Sequence, residues 1–440
     1  AVVSLTWQVG SQTVRDSTGD LVETLSGWPG PLIAVVFAAM MLQKPEGASP
    51  RPHDESAAGR VGRQGLLVWI IVLGETMVGL IATALIIQPF YDVPNSFGML
   101  IETGFAGGHG TAAAMGQVFA SEQVGFESGL DLGLLMATCG LVAGLVSGIV
   151  WINFAARRGW ITKRDVATTD VPSSQAARRS IGYQRLSPDV IDPILLQIVW
   201  VVLAVAVGLC MQFLVLSLAG WVDGRLGAGP ANATSGAEAE LAKRMAATRV
   251  MDFPLFIYTM FGGWIVRRVL ASLGKPDLID SLTIQRLSAT AMEILVVAAI
   301  TSLKLSAVAA LIVPFLVLFI CGTLWAAFCL LVLSRWILPR QHWFELGLIN
   351  YGMSTGTTAT GFILLRVVDP DLKTAAASDY ALAAPLSAPF IGGGILTIAL
   401  PMILMERVWI FWPTLAITAM VVTLIFVGRR LGGRDESRAA

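Results

Sequence analysis

Two glycine-rich stretches carry the residues whose types and spacing suggest chemistry. Residues 104–113 read Gly-Phe-Ala-Gly-Gly-His-Gly-Thr-Ala-Ala, and residues 352–361 read Gly-Met-Ser-Thr-Gly-Thr-Thr-Ala-Thr-Gly. Both lie between apolar segments, although glycine and threonine are poor helix formers. Non-helical backbone at membrane depth must be covered by protein or line a polar cavity. Two such interruptions in one hydrophobic chain predict a transport site.

The chemistry of such a site follows from the ends of a broken helix. One side of the break presents unpaired amides and the other presents unpaired carbonyls. The amides favour a substrate carboxylate, and the carbonyls favour Na⁺. Hydroxyl and backbone oxygens suit a hard monovalent cation and a small polar anion, not a soft metal. The predicted substrate- and ion-binding residues are Thr103, Gly107, Gly108, His109, Gly110, Thr111, Ser354, Thr355, Gly356, Thr357, Thr358 and Thr360.

Several single residues allow two interpretations. His109 either senses pH or hydrogen-bonds a carboxylate, or it is a neutral histidine that holds the backbone in shape. Asp131 and Asp379 begin the spans after each stretch, and each is either a Na⁺ ligand or an exposed helix-start carboxylate favoured by the helix dipole. Arg366 either meets an anionic substrate or snorkels at a span end. Asp131, Asp379 and Arg366 form a secondary set of candidates.

The composition is that of an integral membrane protein. The chain has 440 residues, of which 55% are hydrophobic and 14% charged, with a mean hydropathy of +0.71. Ordinary soluble domains carry roughly 25% charged residues. The formal net charge is zero, so nothing suggests a nucleic-acid partner. The four cysteines lack CxxC spacing, the three histidines are too scattered for a metal site, and no cleavable leader is visible.

Hydropathy predicts an all-α polytopic membrane protein with about nine spans. Glu75 and Glu293 lie inside predicted spans, where ionisable groups are costly and often functional. The glycine-rich stretches fall in broken segments at about 97–120 and 344–366. The predicted spans are 26–43, 65–88, 130–153, 190–219, 253–271, 286–304, 308–335, 380–405 and 407–428.

Loop charge predicts that both broken segments are re-entrant hairpins. The loops at 89–96 and 120–129 contain acidic residues but no Lys or Arg, so both are predicted to be external. Hairpin 97–120 then enters from outside. Basic residues flank hairpin 344–366, which is therefore predicted to enter from inside. The basic C-terminal tail is predicted to be cytoplasmic by the same rule.

An internal duplication accounts for this order of elements. The matching sequence of span, hairpin and span, with opposite sidedness, predicts inverted-topology repeats like those of secondary transporters. The first repeat lacks counterparts of spans 190–219 and 253–271, so we expect two N-terminal helices to be missing. The predicted organisation is a first, incomplete repeat (1–153), a cytoplasmic linker (154–189), a second repeat (190–405) and an extra C-terminal helix with a basic tail (406–440). An offset of 248 takes Gly104 to Gly352, Gly108 to Gly356 and Asp131 to Asp379.

The run at 102–113, Glu-Thr-Gly-Phe-Ala-Gly-Gly-His-Gly-Thr-Ala-Ala, and the run at 137–142, Ala-Thr-Cys-Gly-Leu-Val, resemble the bacterial sodium/glutamate symporter family. The second hairpin and the run at 362–366 resemble a branch of that family. The chain is identified as a divergent, N-terminally truncated member. The resemblance implies an inverted-repeat fold, a homodimer in the bacterial inner membrane, and uptake driven by Na⁺ as coupling ion, with no other cofactor. Carried over by position, it points to residues 107–111 and 352–361.

The sequence-based hypothesis is Na⁺-coupled uptake of glutamate, or of a similar small anionic amino acid, by alternating access. A Na⁺-coupled di- or tricarboxylate (hydroxycarboxylate) transporter is the closest alternative, because its hairpin logic is the same. A passive channel is a weaker alternative, since the predicted repeats are inverted rather than parallel. No nucleophile or metal-ligand constellation in the sequence supports an enzyme.

Overall fold

The computed structural model describes most of the hydrophobic part of the chain. The predicted linker is described only to residue 161, and the N-terminal 23 residues lie outside the described part. Among the described residues the regular structure is helical throughout, with no β-strand. The described residues are 24–25, 27–43, 55–121, 124–161, 193–226, 247–251, 253–301, 309–340, 342–369, 374, 376, 379–380, 383, 390–406 and 408–439.

The α-helices are numbered here in chain order. Three π-helical segments adjoin the α-helices, at Thr83–Ile87, Cys329–Leu333 and Leu400–Met405. A 3₁₀ helix, Asn95–Met99, precedes the α-helix Leu100–Gly104. The helices are α1 (Pro29–Leu42), α2 (Glu55–Ala82), α3 (Leu100–Gly104), α4 (Gly108–Ala120), α5 (Gly129–Arg157), α6 (Pro193–Leu226), α7 (Ala247–Met251), α8 (Leu255–Ser272), α9 (Ser281–Thr301), α10 (Ile312–Phe328), α11 (Ser334–Ile337), α12 (Trp343–Thr355), α13 (Thr358–Val368), α14 (Ile395–Ala399) and α15 (Phe411–Ala439).

The chain is a multi-pass α-helical membrane protein, as predicted. Helices also occupy the spans predicted at 26–43, 253–271 and 286–304, but they are shorter or less apolar. The count of about nine spans therefore stays a prediction. Five helical segments among the described residues are long and apolar enough to cross a membrane: Gly59–Ile87, Gly129–Arg157, Ile194–Arg225, Ile312–Ile337 and Phe411–Gly432.

The span predicted at 380–405 is not one continuous helix, which corrects the sequence-based expectation. Residues 390–394 form an irregular bend before α14 begins. Gly392 and Gly393 have φ angles of 65° and 99° there. These angles are accessible to glycine at little cost but are strained for other residues. The glycine triplet 392–394 is thus the physical reason for the interruption.

The helices pack into two groups. Helices α1, α6, α8 and α9 form the first group, which we call the scaffold. Their close approach depends on small residues, because a Cβ on Gly262 would overlap the Ala204 carbonyl oxygen of α6, and one on Gly263 would overlap that of Ala38 in α1. Helices α2, α5 and α10 pack around the two broken segments, with α15 against α2. We call this second group the core.

Both halves of the core share an uncommon detail. Helix α2 continues into the π-helical segment Thr83–Ile87, and α10 continues into Cys329–Leu333. Each then leads toward a broken segment, α3–α4 in the first half and α12–α13 in the second. This repeated order agrees with an internal duplication, while the opposite sidedness of the two halves stays a prediction.

A close backbone crossing in the core yields a prediction about folding. A Cβ on Gly79 of α2 would overlap the carbonyl oxygen of Gly98, which is backbone and cannot rotate away. Overpacking at a core position costs about 1–3 kcal/mol even where side chains can move. We therefore expect Gly79→Val to abolish the monodisperse peak in fluorescence-detected size-exclusion chromatography. Gly62→Val on the same helix is the matched control, because its Cβ would meet nothing within 4 Å.

Candidate functional site

The first broken segment is a helical hairpin that lies along the N-terminal half of α5. Its arms, α3 and α4, are separated by residues 105–107, where the backbone leaves the helical path. The contacts with α5 show both arms converging toward its middle. In order along α5, they are Leu130 with Gly116, Gly133 with Ala112, Met136 with Gly104, and Gly140 with Phe105.

The tip of this hairpin depends on glycine. Gly108, the first residue of α4, has a φ of 63°. Left-handed backbone costs an ordinary L-residue roughly 1–2 kcal/mol. The turn is closed by the amide of Gly107, which donates to the Glu102 carbonyl oxygen at 3.0 Å, and by that of Gly108, which donates to Phe105 at 3.3 Å. The sequence-based prediction of a helix break is confirmed at this position.

The second broken segment is also a helical hairpin. A Cβ on Gly352 of α12 would lie 2.6 Å from the Cα of Gly361 in α13, so the two arms are antiparallel and closely packed. Nine residues along a continuous helix would instead separate these positions by about 13 Å. The turn lies at Gly356 and Thr357. The Thr357 hydroxyl accepts from the Thr360 amide at 3.3 Å and so caps the N-terminus of α13.

The tips of the two hairpins meet. A Cβ on Gly108 would lie 3.1 Å from the Gly356 carbonyl oxygen and 3.7 Å from Cγ2 of Thr357. The backbone of Gly140 in α5 contacts both tips, because its Cβ would be 2.7 Å from Cδ1 of Phe105 and 2.7 Å from the Thr355 carbonyl oxygen. We call residues 105–108 and 355–357 the tip contact.

The second hairpin leaves the tip contact in the direction opposite to the first. The Tyr351 hydroxyl lies 2.6 Å from Ser147 Oγ, and Leu364 packs against Gly148, so both arms follow the C-terminal half of α5. Further on, Trp343 stacks edge-on against Trp160 at a centroid distance of 5.1 Å. The hairpins thus approach from opposite ends of one spanning helix and meet near its middle. This arrangement is the geometry expected for a site between two broken helices.

The predicted residues of the first hairpin surround this contact. His109 Nε2 lies 3.0 Å from Thr138 Oγ1 of α5, and a Cβ on Gly110 would press on Met292 of α9 in the scaffold. The Thr111 hydroxyl donates to the Gly392 carbonyl oxygen at 3.3 Å. Thr103 is buried, and its hydroxyl donates to the Leu100 carbonyl oxygen within the arm.

The hydroxyls of the second hairpin divide into two sets. Those of Ser354 and Thr355 are buried and donate to the Tyr351 carbonyl oxygen, at 3.1 and 2.9 Å. Thr360 is also buried, in the capping interaction with Thr357. Thr357 and Thr358 are exposed at the tip. The backbone oxygens and the exposed hydroxyls at the turn are therefore the groups best placed to meet a solute.

Comparison with known proteins decides the family. The sequence model of the sodium/glutamate symporter family matches residues 65–223 and 236–359, which include both tips. The chain belongs to the sodium/glutamate symporter family. No curated protein and no solved structure matches it. The members of this family are transporters. The match agrees with the resemblance seen in the glycine-rich runs.

The secondary candidate residues do not lie at the tip contact. Asp131 is buried near the N-terminus of α5, about 13 Å along that helix from Gly140. Arg366 is exposed near the C-terminal end of α13. Asp379 is buried and accepts a hydrogen bond from Arg60 Nε of α2 at 3.0 Å. Binding roles for the three remain predictions.

The ion pair between Arg60 and Asp379 yields a second prediction. Replacing Arg60 with Gln leaves a carboxylate that is only 4% exposed without this partner, which should cost about 1–3 kcal/mol. We expect Arg60→Gln to lower the melting temperature in detergent, and Arg60→Gln/Asp379→Asn to recover most of the loss. A loss of Na⁺ dependence in Asp379→Asn at unchanged stability would instead favour the Na⁺-ligand interpretation.

One segment beside the first hairpin was not predicted from the sequence. Residues 390–406 run beside the first hairpin: the Ser96 amide donates to Glu406 at 2.8 Å, and Asn95 donates to the Met405 carbonyl oxygen at 2.6 Å. The same segment reaches Glu102 through Gly392 and Thr397. The signal in the sequence was the glycine triplet 392–394, which the hydropathy of the surrounding residues concealed.

Proposed function

We propose that this symporter takes up glutamate, or a similar small anionic amino acid, together with Na⁺. The observation that carries the proposal is the tip contact, where Gly108 of one hairpin faces Gly356 of the other near the middle of α5. Broken helices that meet near the bilayer midplane are where secondary transporters bind substrate and coupling ion. Na⁺ is thus the coupling ion and a cargo of the cycle.

The helix ends at the tip contact supply both kinds of ligand. The N-terminus of α4 begins at Gly108 and presents the amides of its first turn, which suit a carboxylate. The C-terminus of α12 ends at Thr355 and presents carbonyl oxygens, which suit Na⁺. Because the two helix ends face one another, a bound Na⁺ and a substrate carboxylate would lie close together there. Their mutual attraction would offset the charge of each in surroundings of low dielectric constant.

Transport follows alternating access of the core against the scaffold. The core carries both hairpins, whereas α1, α6, α8 and α9 carry neither. The two groups meet at points such as Gly110 against Met292 and Gly30 against Gln117. In this proposal each hairpin is re-entrant, the C-terminus is cytoplasmic, and the protein is a homodimer in the bacterial inner membrane.

The experiment that tests the proposal is uptake of labelled glutamate by the purified chain in proteoliposomes. We expect accumulation with an inward Na⁺ gradient and none when K⁺ replaces Na⁺. Glutamate accumulation that is indifferent to Na⁺ would refute the coupling. Unlabelled citrate, malate, aspartate and neutral amino acids serve as competitors in the same assay. Inhibition by citrate and malate but not by amino acids would make the protein a hydroxycarboxylate transporter.

A further inference from the structure

Two buried glutamates face one another beside the tip of the first hairpin. Glu75 lies in the apolar part of α2 and is 0% exposed, while Glu102 lies in α3 and is 3% exposed. Their carboxyl groups are close enough to interact electrostatically. Ionisable groups at membrane depth are expensive and commonly functional. Neither side chain has a role in the Na⁺ coupling proposed above, although the Ala106 amide of the tip contact acts on Glu75.

The carboxyl group of Glu102 is surrounded by hydrogen-bond donors. The hydroxyl of Thr76 donates to Oε2 at 2.7 Å. The other oxygen, Oε1, accepts from the hydroxyl of Thr397 at 2.5 Å and from the amide of Gly392 at 3.1 Å. Donors of this kind favour the charged form of a carboxylate. They occupy three of the roughly four lone-pair positions of the carboxylate, which leaves little room for a metal ion.

Glu75 has the opposite environment. The backbone amide of Ala106, at the tip of the first hairpin, is the one hydrogen-bond donor of the described residues that acts on its carboxyl group. Neither carboxyl oxygen has a side-chain hydrogen-bond partner among those residues. Its titratable neighbours there are Glu102 and, on the π-helical segment after α10, the thiol of Cys329. Within the described part of the chain, no lysine or arginine acts on either carboxyl group. An ionised Glu75 would be an unpaired buried charge beside a second negative charge.

Such a pair must acquire one positive charge, from a proton or from a metal cation. Na⁺ requires several oxygen ligands around it, as hard cations generally do. The groups that act on Glu75 are a thiol and a backbone amide, which is a donor and not a ligand for a cation, and the oxygens of Glu102 already accept three hydrogen bonds. A proton needs no coordination shell, because a buried carboxyl group is neutralised as soon as it binds one.

We propose that the Glu75–Glu102 pair binds one proton, held on Glu75, and that the proton is transported in the same cycle as the solute. The pair then carries a single negative charge, which the donors to Glu102 stabilise. The transport of this proton rests on the proposed function, whereas the existence of the proton site does not.

The position of the pair connects the proton to movement. Glu102 belongs to the first hairpin, Thr76 belongs to α2, and Gly392 and Thr397 belong to the interrupted segment after the second hairpin. The carboxylate therefore holds together three parts of the core. When Glu75 releases its proton, repulsion between two carboxylates opposes this packing. Proton release on one side of the membrane is thereby linked to rearrangement of the hairpin.

The proton site is tested first on the unmodified protein, so that no variant has to fold. Dicyclohexylcarbodiimide, an apolar reagent, reacts with protonated carboxyl groups in apolar surroundings, and mass spectrometry locates the adduct. We expect modification of Glu75 that declines as the pH rises and is the same in Na⁺ and K⁺, with little at Glu102 and none at exposed Glu127. Absence of an adduct at Glu75 at every pH would overturn the proposal. Protection by Na⁺ at constant pH would overturn it in favour of a Na⁺ site.

Transport of the proton is tested in proteoliposomes that contain a pH-sensitive dye. With a Na⁺ gradient and glutamate, the wild type should acidify the lumen, and so should the control Glu127→Gln. Glu75→Gln mimics a permanently protonated residue, so we expect it to lose net uptake and acidification but to keep exchange of internal for external glutamate. Glutamate uptake without acidification in the wild type would refute proton transport and leave the proposed function intact. Absence of all glutamate uptake would refute the proposed function, while the carbodiimide result would still decide the proton site.

Discussion

Gly108→Val should abolish Na⁺-driven glutamate uptake while leaving the protein in the membrane. The substitution forces a β-branched residue into a backbone with a φ of 63° and places its Cβ 3.1 Å from the Gly356 carbonyl oxygen. The conformational strain alone is about 1–2 kcal/mol, and displacement of the second tip adds to it. Because each 1.4 kcal/mol corresponds to a factor of ten, we expect the initial uptake rate to fall by roughly tenfold or more. The measurement is labelled uptake normalised to protein in the proteoliposomes.

Gly125→Val is the matched control for this prediction. Gly125 has nearly the same backbone angle, a φ of 68°, but a Cβ there would meet nothing within 4 Å. It therefore carries the strain without the approach of the second hairpin. Uptake by Gly108→Val close to that of Gly125→Val would show that the contact between the tips is dispensable, and would contradict the site proposed here.

Gly140→Ala should have a comparable effect from a residue in neither hairpin. Its single added methyl would lie 2.7 Å from both Phe105 Cδ1 and the Thr355 carbonyl oxygen, so both tips must retreat from α5. Overpacking of this kind costs about 1–3 kcal/mol, which corresponds to a loss of about 5- to 150-fold if it falls on the transport-competent state. The initial rate of Na⁺-driven uptake is again the measurement.

Gly133→Ala on the same helix separates this effect from a change in helix propensity. Its Cβ would sit 3.4 Å from that of Ala112, an ordinary contact distance. Both substitutions favour the helix equally, since alanine has the higher propensity in each. If the two variants transport at the same rate, α5 does not hold the tips in register, and the role given to Gly140 is wrong.

The two helix breaks could be predicted from the sequence because their cause is local. Each break lies where a residue pair interrupts an apolar run that would otherwise remain helical. The pairs are Gly107 and Gly108 in the first hairpin and Gly356 and Thr357 in the second. Loop charge then indicated that the hairpins approach from opposite sides. The structure agrees with this arrangement in placing them along opposite halves of α5. The tip contact could therefore be predicted from backbone propensity and loop charge alone.

Contacts between distant parts of the chain could not be predicted in the same way. Arg60 and Asp379 are separated by 319 residues, and Glu102 and Thr397 by 295. No periodicity relates such positions, so the sequence left Asp379 open between an ion ligand and a helix-start carboxylate. The break at residues 390–394 was not predicted because hydropathy is averaged over a window of residues. The apolar residues in that window outweighed the three glycines. Only packing reveals that this segment binds the first hairpin.

If the two tips together enclose the solute, cysteine residues on both tips should be protected when it binds. Single cysteines at Ala106 and Thr357, introduced after replacement of the four native cysteines, place one label on each tip at partly or fully exposed positions. A membrane-impermeant maleimide is applied to vesicles of each orientation, with and without Na⁺ and glutamate. We expect that Na⁺ and glutamate together slow labelling at both positions, and that neither does so fully alone. Labelling that is unaffected by the pair at either tip would contradict this expectation.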